Sequence, residues 1–196
     1  MARISHGDMT LSIRHVGYRA REELIGYELL ATMDGRPLVN PDIIVWKSDP
    51  SSHHAWDRLA PGALFCEGDP PCNILSLFEG ALATNRGQFQ WFSADEVDIA
   101  LYPDLVLPVE PMVGRRDWDA CKAREEARLA KPASPDDLWE LHLGFGWTQL
   151  RRRQPGGSLM VHMLVERRAL EDFARALRQE YARFSADFGV PGQPPG

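Results

Sequence analysis

The 196-residue chain predicts an α+β fold, an antiparallel sheet packed by a C-terminal amphipathic helix and a short middle helix. Three observations carry this. The apolar run over residues 159–165 follows a turn signal at Gln154, Pro155, Gly156 and Gly157, the pattern of a strand. Behind it Leu170, Phe173, Ala174, Leu177, Tyr181, Phe184 and Phe188 recur at helical spacing. Glu171, Asp172, Arg175, Arg178, Gln179 and Arg183 take the opposite face. A helix that follows a strand directly needs a sheet to receive its apolar stripe, and alternating segments upstream supply one. No strand-to-helix turn carries a glycine-rich phosphate loop, which argues against a dinucleotide-binding fold. The sequence shows no internal repeat.

In chain order, residues 9–16 alternate weakly, with Met9, Leu11 and Ile13 against Thr10, Ser12 and Arg14, and predict a first strand. Leu24–Met33 predicts a second. Asp34 and Gly35 predict a hairpin turn, because glycine tolerates positive φ. Residues 36–46 predict the returning strand. Pro37 and Pro41 cannot donate to a ladder, which makes it an edge strand or breaks it in two. Residues 47–71 are the least regular part and read as an inserted loop, a length often tied to function.

Ile74, Leu77, Phe78, Ala81 and Leu82 predict a short helix over 73–84, capped by Asn73 and ended by Asn85 to Gly87. Residues 88–93 and 97–102 predict two strands around Ala94, Asp95 and Glu96. The prolines of 103–111 predict extended chain. Residues 116–130, charged and alanine-rich, predict an exposed helix. Residues 138–153 alternate, with Leu141, Leu143, Phe145 and Trp147 facing inward and Glu140, His142, Gly144 and Gly146 outward. With 159–165 they form a hairpin. One domain is expected over 1–189, with an irregular insertion at 47–71 and a helical one at 103–137. Residues 190–196 read as a disordered tail.

The net charge of -6 opposes nonspecific nucleic-acid binding, which needs Lys and Arg to displace counterions. It suits a basic protein partner. Cys66, Cys72 and Cys121 are too few, and odd in number, for a disulfide scaffold, and suggest a reducing compartment. Residues 1–18 show no secretory pattern, and no stretch has the length of a membrane span. The expectation is a cytoplasmic protein with no membrane or nucleic-acid partner.

Candidate chemistry is thin. His53, His54, Cys66 and Cys72 are zinc-type ligands, but the two thiols stand six apart rather than at knuckle spacing, so no metal and no cofactor is expected. Asp104 and Glu110 faintly match a nuclease arrangement that lacks its lysine. Ser158 lies in a hairpin turn rather than a strained elbow. Cys121 lies near Lys122 and Arg124, with no histidine placed to act as base. His162, inside the apolar run, reads as a core histidine. Arg151, Arg152 and Arg153 read as a solvated hairpin end. No catalytic residue is assigned. What remains is a carboxylate cluster, Asp95, Glu96 and Asp98, between two predicted strands, with Trp91 as a candidate aromatic anchor. Together they are the candidate partner-binding residues.

Three pieces of the chain carry a resemblance: Tyr27-Glu-Leu-Leu-Ala-Thr-Met-Asp-Gly-Arg-Pro-Leu38; Ile74-Leu-Ser-Leu-Phe-Glu-Gly-Ala-Leu82 with Gly87-Gln-Phe-Gln-Trp-Phe92; and Val161-His-Met-Leu-Val-Glu-Arg-Arg-Ala-Leu-Glu-Asp-Phe173. Their order resembles small bacterial immunity and uncharacterised domains found beside contact-dependent or polymorphic toxins. The resemblance is of pattern, spans about half the chain, and brings no catalytic motif. It implies an inhibitor that binds and neutralises a basic toxin domain and needs no cofactor. The alternatives are an enzyme with its site near 47–71 and a structural or oligomeric subunit.

Overall fold

A computed structural model describes residues 1–21, 23–38, 63–68, 74–92, 97–103, 115–145 and 159–190. Its elements are β1 (Ala2–His6), β2 (Met9–Arg19), β3 (Leu24–Met33), β4 (Arg36–Pro37), β5 (Ala63–Gly68) and α1 (Ile74–Thr84). Then follow β6 (Gln88–Phe92), β7 (Val97–Pro103), α2 (Arg115–Leu129), β8 (Leu138–Phe145), β9 (Leu159–Glu166) and α3 (Arg167–Phe188). The fold is α+β, with every strand pair among the described residues antiparallel and α3 packed on the sheets.

There are two sheets where one was expected. The first runs β1-β2-β3, and β4 and β5 both pair with the far edge of β3. The second runs β6-β7-β8-β9. Each sheet is a meander followed by a helix, so the chain repeats one topological unit that its sequence does not reveal.

β1 escaped the sequence reading because it is short. Only Ala2 and Ile4 face inward, against exposed Arg3 and Ser5. Gly7, at φ +55°, makes the turn to β2. The predicted hairpin at Asp34 and Gly35 is present, with φ of 51° and 71°. The returning strand is described only as β4, two residues that include Pro37. The inserted loop at 47–71 needs correction: residues 63–68 within it form β5, which takes the place beside β3. The clue was Ala63, Leu64, Phe65 and Cys66, a short apolar run between Gly62 and Gly68.

The hydroxyl of Tyr27 accepts a hydrogen bond from the Ile74 N–H at 3.4 Å, satisfying one free amide at the start of α1. α1 buries Ile74, Leu75, Leu77, Phe78 and Ala81. α3 leaves β9 without a loop and ends at Gly189, whose φ of 64° closes the helix with an N–H donated to the Ser185 carbonyl. It buries Leu170, Phe173, Ala174, Leu177, Tyr181 and Phe184. Phe188, expected on the same face, is 52% exposed. The buried stripe stops one turn earlier, and Phe188 only stacks on Phe184 at 4.9 Å.

The halves interlock. α1 follows the first sheet yet packs on β6, and α3 follows the second yet lies on β1 and β2. β1 runs beside β9, and β5 beside β6. One apolar cluster draws on both sheets and both packed helices. Phe78 of α1 meets Phe173 of α3 at 4.8 Å. Arg178 grips Glu79 with two bonds of 2.5 and 2.6 Å. Arg167 donates to the Leu82 carbonyl at 2.8 Å and to Asn85 Oδ1 at 3.2 Å. Among the described residues, no helix is long and apolar enough to cross a membrane.

Candidate interaction face and the buried histidine

Side chains alternate across a strand, so the second sheet has an inner and an outer face. Its inner face carries Ile99 and Leu101 from β7, Trp139, Leu141 and Leu143 from β8, and Val161, Met163 and Val165 from β9, all buried. The outer face carries Ala100 and Tyr102, then Leu138, Glu140 and His142, then His162, Leu164 and Glu166. On a solvated sheet this face would be polar. Here Leu138 and Leu164 are 45% and 47% exposed.

At its centre His142 and His162 are direct cross-strand partners, with ring centroids 4.1 Å apart. Tyr102 meets His142 edge-on at 5.2 Å. His142 Nε2 lies 2.9 Å from Glu140 Oε2, which fixes the ring and commits one nitrogen to a carboxylate. His142 is buried and His162 is exposed. Burial, and then the neighbouring His142, lower the His162 pKa, while Glu140 opposes them by raising it. His162 is thus not the core histidine expected from the sequence. The run 159–165 hid its alternation because Leu164, outward beside His162, is as apolar as the inward residues.

The candidate partner-binding residues divide. Trp91 of β6 and Asp98 of β7 are cross-strand partners. Asp95 and Glu96 lie outside the described residues, as do His53, His54, Cys72, Asp104, Glu110, Ser158 and Arg151 to Arg153. Cys66 falls in β5 and Cys121 in α2. The sequence alone does not bring Tyr102, Glu140 and the two histidines together as a group. The outward parity of His142 was legible, but its pairing with His162 depends on hairpin register. Among the described residues, no three His, Cys, Asp or Glu side chains are grouped to hold a metal ion.

A second polar cluster sits inside. His15, inward on β2 after Leu11 and Ile13, is ringed by Tyr27 at 5.1 Å, Tyr181 at 5.4 Å and Phe184 at 5.1 Å. Its backbone N–H donates to Glu180 Oε1 at 2.8 Å, and its Nδ1 lies 3.4 Å from the same oxygen. The α-ammonium of Met1 pairs with the other Glu180 oxygen. Burial pushes the Glu180 carboxyl up. The His15 ring, the α-ammonium and the His15 backbone N–H outweigh it and hold the pKa down at about 2. This cluster ties α3 to β2.

No family model, curated protein or solved structure matches this chain.

Proposed function

We propose that the chain is a binding protein of the immunity type, whose outer face on the second sheet docks and neutralises a basic toxin domain. The observation that supports this reading most is that face itself. It turns Leu138, Leu164, Tyr102 and a stacked histidine pair outward, with Glu140 and Glu166 among them. Aromatic and aliphatic groups at the centre with carboxylates around them are the composition of an interface. The net charge of -6 favours encounter with a cationic surface.

The test uses a basic toxin domain encoded beside this chain. Co-expression should restore growth of cells making that domain, and the two purified proteins should co-elute. Changing Asp95, Glu96 and Asp98 together to Lys should slow association about tenfold at low salt and flatten its salt dependence. Equal on-rates for both proteins would remove these carboxylates from the interface. No complex with the wild type, combined with turnover of a small molecule, would replace the binding reading with an enzymatic one.

A further inference from the structure

Of the two stacked rings, the exposed one, His162, can change charge near neutral pH. His142 has one nitrogen against Glu140 and its ring between Tyr102 and His162. His162 is the exposed member. The titratable and charged groups that share the face are few. β8 contributes Glu140, and β7 contributes Tyr102. β9 contributes Glu166, which is paired with Arg168 at 2.5 Å. Of the packed helices, α3 contributes Arg168, the partner of Glu166.

Two imidazoles 4.1 Å apart repel when both are charged. Burial and His142 lower the His162 pKa, which favours the neutral form of the exposed ring on this face. Acid adds a positive charge at its centre.

We propose that the His142–His162 pair gates this face by pH, accepting a cationic partner when His162 is neutral and repelling it when His162 is protonated. The inference rests on the docking reading above. Its sign follows from linkage. A cationic partner disfavours the protonated ring, so binding is strongest above the His162 pKa and weakens as pH falls through it.

The probe is a fluorescein-labelled decalysine peptide, titrated at low salt from pH 7.5 to pH 5.5, above the range where carboxylates take up protons. The expected result is a dissociation constant that rises about tenfold on acidification for the wild type, the limit for one proton per pH unit being of that order. His162→Gln should lose the acid response, its dissociation constant changing less than about twofold between pH 7.5 and pH 5.5 whatever its affinity at pH 7.5. NMR of the ring Cε1–H should show His162 titrating across the same interval. His162→Asn serves as a second neutral variant if the first folds poorly. Binding at pH 7.5 with an acid response that survives in both variants would overturn the gate and leave the docking face standing. No binding of the wild type at pH 7.5, with no shift of the Tyr102 or His162 resonances, would overturn both.

Discussion

Outward from the core, the first sheet displays Arg3, Ser5, Thr10, Ser12, Arg14 and Glu28, while the second displays Tyr102, Glu140, His142, His162 and Leu164. Two pairs form within the first set. Ser5 and Thr10 share a 2.9 Å hydrogen bond across β1 and β2, and Arg14 is ion-paired with buried Glu28. The second set stacks rings and leaves leucines in solvent. Toward the core the two sheets are alike: both bury aliphatic rows against helices. The inner face of a sheet is dictated by burial and therefore repeats. The outer face is free to differ, and where it departs from polar it records what it meets.

The largest effect should come from the shared interior. Leu177 is fully buried in the cluster that joins the halves. Leu177→Ala should cost about 2–5 kcal/mol, and denaturant unfolding should stay one transition. Hydrogen exchange should lose protection equally in β2 and β8 amides. A second transition, or loss confined to one sheet, would show two independent halves. A cost below about 0.5 kcal/mol would belong to a surface position and contradict the burial.

The helical part of this interior was legible because its period extends over many residues, from Leu170 to Phe184. The split into two sheets was not. It depends on which strand edges meet, and β1 and β5 are only five and six residues long. Leu24–Met33 was readable to its ends because an Asp-Gly turn closes it. Of the candidate site, the outward parity of His142 was legible in the sequence; Trp91 and Asp98 stand opposite one another in register. The sequence could not yield the His142–His162 contact, because one apolar outward residue, Leu164, disguised the alternation of β9.

A middle-sized effect should mark the first half alone. Glu180 holds β2 from α3 and has its pKa lowered to about 2 from an ordinary 4.5. A depressed carboxylate contributes stability that is present above the unfolded pKa and is lost as pH falls from about 4.5 toward 2. Solvent still reaches the group, so the contribution at neutral pH should be about 1–2 kcal/mol. Glu180→Gln should lose that amount near pH 7 and flatten the acid limb of the stability curve, measured by urea midpoints at stepped pH. An unchanged acid limb would mean that other carboxylates carry the acid sensitivity. His162→Gln should leave that limb alone, since the outer face of the other half lies apart from this cluster.

The smallest effects on stability should separate the two outer faces by function. Leu138 and Leu164 are nearly half exposed, so changing both to Ser removes little buried area and should shift stability by less than about 0.5 kcal/mol. Changing Ser5 and Thr10 to Ala on the first face breaks one exposed hydrogen bond and should also shift it by less than about 0.5 kcal/mol. Matched in stability, the pairs differ in what they should do to binding. A docked partner removes water from exposed leucines, so the Ser pair should weaken association with the basic toxin domain by a factor of about ten, mostly through faster dissociation. The Ala pair touches a face already satisfied within itself and should leave association unchanged. Calorimetric titration beside urea unfolding for both variants decides it. Equal losses from the two pairs would mean that outward leucines and stacked rings do not mark a docking surface, and that the contrast between the sheets has no functional content.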